Sequence, residues 1–259
     1  RPEPDGAIVL GAHMEAPFLA EAKAGAQLKQ YFADPNEENW QRYTCGLESV
    51  VRLITMAPER AGAMEFISAL TKKGITVSIG HTTADAETTH AAAEAGATHV
   101  THTFNAQTPL NHRAPGVPGA ALVDDRLQCE VISDGIHLHP DIVKLIIRTK
   151  GKEKLVAITD AMEAAGMPDG QYQLGGQEVF VHEGAARLKD GTLAGSTLTM
   201  VRAFQNLIRF GATPEEAALM TTKTPALSIG NEELGEIELG APAIFSRFDE
   251  NYAFKGTVG

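Results

Sequence analysis

Short runs of apolar residues alternate along the chain with longer stretches in which apolar residues recur at helical spacing. This alternation is typical of βα units, in which helices connect parallel strands. The last apolar run has apolar residues on both of its faces, which fits a strand between helices and a packed core. The strands predicted from these runs are 7–10, 51–56, 75–79, 98–103, 129–133 and 155–159. The pattern therefore predicts a parallel sheet.

Proline and glycine mark the ends of the predicted helices. One helix is predicted over 58–73, with Pro58 at its start and Gly74 just after its end. A second is predicted over 84–95, closed by a glycine, and helices return at 198–210 and at the Thr-Pro-Glu-Glu segment that begins at residue 213. The helices thus separate strands, as a βα fold requires.

Two segments depart from the βα pattern. At about 170–190, apolar residues are interleaved with glycines and charges, which predicts a β-hairpin insertion. The tail over 235–248 again has the pattern of a strand. Both segments are therefore expected to lie outside the central sheet.

Length, charge and cysteine content narrow the function. A chain of 259 residues fits one α/β barrel. Its net charge of -11 argues against nucleic-acid binding, and no apolar run approaches the roughly 18 residues that span a bilayer. Two cysteines far apart predict a reducing, cytoplasmic location. The first residue is Arg1, so a preceding targeting peptide stays open.

Polar side chains follow several predicted strands, at the edge where barrel enzymes form their active sites. Glu15 follows the first strand, His81 the third, and His102 lies at the end of the fourth. Neighbouring strands lie about 4.8 Å apart, so the two imidazoles are expected to converge. A single histidine is more often structural than a ligand, but a carboxylate and two imidazoles together favour a metal site with open positions.

Asp160 ends an otherwise apolar strand, where an unpaired carboxylate is costly to bury. For an isolated aspartate, a cap or an ion pair is the ordinary explanation. Beside a metal centre, a carboxylate can accept a proton during attack by water and return it to the leaving group. The context favours this catalytic role.

Two further histidines need separate interpretation. His13 lies on the same strand face as Glu15 and is either an additional ligand or, as we favour, a support for the ligands. His99 lies three residues before His102, so strand alternation places the two on opposite faces. We therefore interpret His99 as structural.

Eight short motifs occur in order over positions 11–200 and together resemble those of N-acetylglucosamine-6-phosphate deacetylases, which belong to the amidohydrolase superfamily. None is specific alone. The motifs are 11–15 (GAHME), 55–59 (TMAPE), 80–82 (GHT), 101–106 (THTFNA), 113–116 (RAPG), 134–137 (DGIH), 159–162 (TDAM) and 191–200 (GTLAGSTLTM).

The resemblance implies an α/β fold, a (β/α)8-type metallo-dependent hydrolase barrel, that deacetylates an amino-sugar phosphate as a homodimer. It implies that Glu15, His81 and His102 hold a divalent metal, with zinc favoured, and that Asp160 is the catalytic acid and base. The residues that it implies for substrate binding are Ala26, Gln27, Asn105, Ala106, Arg113 and His137, with Leu193, Ala194 and Gly195 at the acetamide end.

The chain also departs from the family pattern. Ala16 replaces a usual glycine, Gln107 replaces a common methionine, and Gln27 stands where a histidine is usual. Gln27 can donate a hydrogen bond but cannot become cationic. The family's opening barrel strands have no counterpart here, so the chain is expected either to be a fragment or to complete its barrel with strands from elsewhere. The predicted domains are a barrel over 1–234 and a β segment over 235–259, the remnant of a small β-sandwich.

Three functions stay open at this point. The leading one is hydrolysis of N-acetylglucosamine 6-phosphate to glucosamine 6-phosphate and acetate. A second is deacetylation of another N-acetylhexosamine phosphate, or hydrolysis of another amide. The third is a noncatalytic sugar-phosphate-binding fragment, which the missing segment and Gln27 suggest and which the retained Asp160 argues against.

Overall fold

Six parallel strands form the central sheet of the computed structural model, which describes residues 7–259. The strands lie in chain order and each neighbouring pair is parallel. The sheet curls into part of a barrel, so the predicted fold class is confirmed. The strands are β1 (Ala12–Met14), β2 (Val51–Met56), β3 (Thr76–Ile79), β4 (His99–Val100), β5 (Gln128–Ile132) and β6 (Leu155–Ile158).

Helices connect successive strands and cover the outer face of the sheet. Several begin at side chains that accept a hydrogen bond from the first turn, such as Asp85 and Thr213, the latter within a complete capping box. The helices are α1 (Glu37–Thr44), α2 (Ala63–Lys72), α3 (Ala86–Ala95), α4 (Gly116–Val123), α5 (Pro140–Lys154, broken at Gly151), α6 (Met200–Arg209), α7 (Pro214–Thr221) and α8 (Lys223–Ser228). None of the described helices is long and apolar enough to cross a membrane.

The two faces of the sheet carry different side chains, because neighbouring residues of a strand point in opposite directions. On the outer face, residues such as Ile54, Val77 and Val131 pack against the helices in the main hydrophobic core. Each such side chain contributes about 1.5–3 kcal/mol when fully buried. On the inner face, the hydroxyls of Thr55 and Thr101 lie 2.7 Å apart and are buried. The inner face is thus where polar groups collect.

Two predicted strands lie elsewhere or are shorter than expected. Residues 7–10 form no strand, and β1 begins only at Ala12. Ile8 and Val9 are exposed, since the backbone pairing with β2 starts at Ala12 and Val51. The strand predicted over 98–103 is only His99–Val100, because the chain turns sharply after it. Alternation along one strand therefore does not govern the relation between His99 and the residues after the turn.

The predicted β-hairpin is a three-stranded antiparallel sheet, made of β7 (Gly170–Leu174), β8 (Gln177–His182) and β9 (Ala185–Arg187). A third strand joins because Ala186 and Val181 pair and enter a small hydrophobic cluster beneath the sheet. That cluster also contains Ala194. The insertion is therefore packed onto the segment that follows it.

The predicted strand over 235–248 is wrong in its bounds. An antiparallel hairpin of β10 (Phe245–Phe248) and β11 (Phe254–Val258) occupies the end of the chain, and residues 235–244 contain no strand. The hairpin packs on α6, where the rings of Phe204 and Phe248 have centroids 4.6 Å apart. The predicted domain division at residue 234 stays a prediction.

Candidate active site

Glu15, His81 and His102 meet at the carboxyl edge of the sheet, just beyond β1, β3 and β4. Oε1 of Glu15 lies 3.0 Å from Nε2 of each histidine, and the two Nε2 atoms are 3.0 Å apart. The closeness follows from sheet order, because parallel strands end at one edge. The arrangement brings together the three predicted ligands.

The backbone is strained at His81, His102 and Asp160. His81 and His102 have φ values of 46° and 29°, and Asp160, just beyond β6, has φ of 49°. Residues other than glycine rarely adopt positive φ, and such residues cluster at functional sites. The conformation ends each strand abruptly and turns its polar side chain toward the inside of the barrel.

Neighbouring groups hold two of the three ligands in place. Nδ1 of His81 donates a hydrogen bond to the backbone carbonyl of Lys23, at 2.7 Å, which leaves Nε2 free to accept a metal. The side-chain amide of Gln27 donates to the second oxygen of Glu15. Nδ1 of His102 is buried and has no hydrogen-bond partner among the described residues.

The electrostatics of the cluster suit a cation. Burial opposes ionisation of Glu15, but hydrogen bonds from His102 and His81 outweigh it and hold its pKa well below the usual range. Burial also disfavours charge on His102, yet Glu15 raises its pKa to about 8. Glu15 thus favours positive charge at this point of the cluster, which a bound cation would supply. Two imidazoles and one carboxylate are a ligand set that zinc binds, with room for further ligands.

Asp160 is held beside this cluster by the segment after the three-stranded sheet. The backbone N–H of Ser196 donates to the carbonyl of Asp160 at 2.7 Å, and that of Met162 donates to the carbonyl of Ser196 at 2.9 Å. Desolvation raises the pKa of the Asp160 carboxyl, although the charge of His102 opposes this. A raised pKa brings a carboxylate closer to the range useful for proton transfer at neutral pH.

A cavity of about 220 Å³ surrounds these groups. Glu15, His81, His102 and Asp160 line it. So do most of the predicted substrate residues, namely Ala26, Gln27, Asn105, Ala106, His137, Leu193 and Gly195. Within the described chain, one cavity thus brings together the three predicted metal ligands, Asp160 and most of the predicted substrate residues.

Two predicted substrate residues lie outside the cavity lining. Arg113 is on an exposed loop, and Ala194 is fully buried in the cluster beneath the three-stranded sheet. Its neighbour Gly195 does line the cavity. The assignments of both residues to substrate stay predictions.

Four lining residues were not singled out from the sequence: Ile132, Ala161, Met162 and Leu174. Ile132 is the last residue but one of a predicted strand, and Ala161 and Met162 lie within the TDAM motif, so strand-end position and motif could have identified them. Leu174 comes from the insertion at the end of β7. No signal in the sequence places it over the cavity.

A larger cavity of about 570 Å³ lies at the opposite edge, between α1 and the starts of β2 and β3. It is lined by Glu37 and Lys73, which form an ion pair of 2.8 Å. Among the described residues, the cluster that could hold a metal ion is at the other edge of the sheet. Size therefore does not identify the site, and the chemistry of the smaller cavity does.

Residues 5–256 match the family model of the amidohydrolases. The chain belongs to the amidohydrolase family. It is 38% identical over 258 residues to N-acetylglucosamine-6-phosphate deacetylase of Lysinibacillus sphaericus, covering 99% of this chain and 67% of that protein. It is 39% identical over 240 residues to N-acetylgalactosamine-6-phosphate deacetylase of Escherichia coli O157:H7, covering 92% of this chain and 63% of that protein.

Solved structures give the same likeness. A structure of a mutant N-acetyl-D-glucosamine-6-phosphate deacetylase from Mycobacterium smegmatis, in complex with N-acetyl-D-glucosamine-6-phosphate, has a TM-score of 0.90 and 37% identity. The match covers 96% of this amidohydrolase chain and 66% of the other. The chain thus spans about two thirds of the length of these relatives. The resemblance predicted from the motifs is confirmed.

Proposed function

We propose that this amidohydrolase removes the acetyl group from N-acetylglucosamine 6-phosphate, giving glucosamine 6-phosphate and acetate. The observation that carries the proposal is the cluster of Glu15, His81 and His102, which shares one cavity with Asp160. A sugar-binding protein has no chemical need for a ligand cluster beside a carboxylate of raised pKa. The names of the relatives support the choice of substrate.

The three clustered side chains would hold one divalent ion, and their nitrogen and oxygen donors favour zinc. When bound, the ion supplies a Lewis acid that polarises the acetamide carbonyl. Lys23 fixes the ring of His81, and Gln27 orients Glu15, so that the ligand atoms face the cavity. Since Gln27 stays neutral, it orients the ligand set without adding positive charge.

Asp160 would carry the proton. Its carboxylate accepts a proton from water as the water oxygen bonds to the acetamide carbon. It then returns that proton to the nitrogen as the carbon–nitrogen bond breaks, which releases the amine and acetic acid, and the acid loses its proton to give acetate. One proton is borrowed and returned, so the carboxylate is regenerated.

The remaining cavity residues would bind the sugar phosphate. Asn105, Ala106 and His137 line the cavity, and Asp134 orients His137 through a 2.7 Å contact to its Nδ1. Arg113 would supply a guanidinium to the phosphate from its exposed loop. At the acetamide end, Leu193 and Gly195 would shape the wall, with Ala194 behind them. We also propose a homodimer in the cytoplasm, where two distant free thiols stay reduced.

A second candidate substrate is N-acetylgalactosamine 6-phosphate, favoured by the relative that is 39% identical and named for that sugar. The two sugars differ only in the orientation of one hydroxyl group. The proposed steps of Asp160 are the same for both. Comparing acetate release from the two phosphates under one set of conditions decides between them.

The test is acetate release by the zinc-loaded protein and by its Asp160→Asn variant. The variant keeps the size of the side chain but loses its basicity, so turnover is expected to fall by about 10² to 10⁴ with metal content unchanged. Asp169→Asn, at an exposed residue just before β7, is the control and should keep full activity. Near-normal turnover in Asp160→Asn would contradict the proposed mechanism. A parent protein that binds the sugar phosphate and zinc without releasing acetate would favour the noncatalytic alternative.

A further inference from the structure

Glu130 is a buried carboxyl group that the proposed mechanism leaves without a role. It lies in β5, is 1% exposed, and neither of its oxygens makes a hydrogen bond of normal geometry with a described residue. Burial raises its pKa to about 8. An unpartnered carboxyl group in the interior lowers stability, and such costs are usually retained at functional sites.

The strand pattern places Glu130 under the active-site cavity. Its neighbours Cys129 and Val131 pack in the main hydrophobic core on the outer face of the sheet. Glu130 therefore points inward, two residues before Ile132, which lines the cavity. Two residues along a strand span about 6.6 Å, so the carboxyl group lies one layer beneath the cavity wall.

The same register places Glu130 beside His102. β4 and β5 pair through Val100 and Cys129, and the backbone N–H of Thr103 donates to the carbonyl of Glu130 at 2.8 Å. The charge of His102 lowers the pKa of Glu130, although burial raises it more. The carboxyl group and the imidazole thus belong to one neighbourhood inside the barrel.

His102 lacks the partner that His81 has. Both histidines present Nε2 to the ligand cluster, so a neutral metal-binding ring must carry its proton on Nδ1. His81 donates that proton to the carbonyl of Lys23, whereas Nδ1 of His102 is buried without a partner in the described chain. Metal-binding histidines almost always donate this N–H to a carboxylate, a carbonyl or water.

We propose that Glu130 is a positioning residue, whose carboxylate accepts the hydrogen bond from Nδ1 of His102 in the metal-loaded protein, directly or through one water molecule. The proposal rests on the proposed function, since it takes His102 as a metal ligand. It joins two buried groups, Nδ1 of His102 and the Glu130 carboxyl, that have no other hydrogen-bond partner among residues 7–259. The bond fixes the ring orientation of His102 and strengthens its Nε2 as a donor to the metal.

Zinc affinity and stability together distinguish this role from a purely structural one. We expect Glu130→Leu to weaken zinc binding by about 10- to 100-fold, measured by competition with a chelating dye. Removing a structural residue would lower the thermal midpoint of the metal-free protein. Here we expect that midpoint to stay unchanged or rise, because the variant removes an unpartnered buried carboxyl group.

Gln128→Leu is the matched control. Gln128 lies on the same face of β5, one layer deeper, and its side-chain oxygen is also buried without a partner in the described residues. It pairs in register with His99 rather than with the residues around His102. We therefore expect unchanged zinc affinity in this variant.

Glu130→Gln covers the case in which the leucine variant does not fold. It keeps the size and one acceptor oxygen, so zinc should bind more weakly than in the parent, and the Nδ1–H proton of His102 should move upfield in the NMR spectrum of the loaded protein. A folded Glu130→Leu variant with parental zinc affinity overturns this proposal alone, as does an unmoved resonance in Glu130→Gln. A parent protein that binds no zinc overturns the proposed function and this proposal with it.

Discussion

His81, His102 and Asp160 share a backbone conformation that no hydrophobic periodicity reveals. The sequence places each of them after an apolar run, and that position is enough to predict that they meet at one edge of a parallel sheet. It does not show that each has positive φ. The turn decides where the side chain points, and it is set by contacts to residues distant in the chain.

Support for the ligands was harder to predict than the ligands themselves. The partner of His81 is the carbonyl of Lys23, and backbone groups carry no residue-specific signal. The sequence gives a weak indication of Glu130, since a lone carboxylate interrupts an apolar strand. That it lies beside His102 follows only from the register of β4 and β5. The predicted metal ligands can thus be identified from local sequence patterns. The groups that hold these ligands in place depend on how the strands pair.

The first prediction at this scale concerns the metal ligands. Replacing His81 or His102 with alanine leaves two donors, too few to retain a zinc ion through dialysis, so each variant should lose stoichiometric metal. Metal content per chain, measured by mass spectrometry of the dialysed protein, is the readout. His182→Ala, at an 83% exposed side chain, is the control and should keep its metal. Full metal content in both variants would refute the ligand assignment.

Phosphate recognition by Arg113 gives the second prediction. The net charge of -11 opposes an anionic substrate at long range, so binding requires local positive groups. A charged hydrogen bond contributes about 1.5–3 kcal/mol, so Arg113→Met should weaken binding of the sugar phosphate by roughly 10- to 100-fold. Binding of unphosphorylated N-acetylglucosamine should change little.

Isothermal titration with both sugars separates these effects. Arg148→Met, which removes an exposed charge from α5, controls for the change in net charge. Equal losses for the two sugars in Arg113→Met would remove the basis for assigning Arg113 to the phosphate. Arg113 is exposed, so Arg113→Met should leave the fold intact.

At the scale of helices and strands, pairing with a neighbouring strand decides where a strand begins, and local hydrophobicity does not. Residues 7–10 are apolar enough to predict a strand, yet β1 begins at Ala12, where its pairing with β2 begins. α4 was not predicted from the sequence, because it contains Gly116, Pro118 and Gly119, and glycine and proline have low helix propensity. Most of its residues are buried, so packing rather than propensity maintains it.

The segment that holds Asp160 yields the third prediction. Gly195 has φ of 63°, and a Cβ there would lie 3.1 Å from the carbonyl oxygen of Asp160. Gly195→Ala should therefore lower stability by about 1–2 kcal/mol and displace Asp160, reducing turnover while zinc binding persists. Urea unfolding and acetate release measure the two effects.

Gly191→Ala separates backbone strain from displacement. Gly191 also has positive φ, at 90°, but an added Cβ would meet nothing within 4 Å. We expect a similar loss of stability with turnover retained. If Gly195→Ala keeps parental turnover, the segment does not position Asp160.

For the whole molecule, the order of the strands was predictable from the sequence, but the position of the cavity was not. Alternating strands and helices predict a parallel sheet in chain order, and that topology is what the structure has. Which space between the elements becomes a cavity depends on packing across the fold. Leu174 illustrates this, since an insertion far along the chain contributes to a site built from the first strands.

The last prediction links the metal to the stability of the whole fold. Glu15, His81 and His102 extend from β1, β3 and β4, so one ion would tie together three parts of the sheet that are distant in the chain. A ligand at 100 times its Kd stabilises the folded state by about 2.7 kcal/mol if the unfolded chain does not bind it. For a chain of this size, that corresponds to a rise in Tm of roughly 5 to 11 °C.

Thermal unfolding with and without zinc measures this rise in Tm. His102→Ala should abolish it, whereas His182→Ala should preserve it. An equal rise in Tm in the parent and in His102→Ala would mean that zinc stabilises the protein by binding at another site. The assignment of the metal site to Glu15, His81 and His102 would then be wrong.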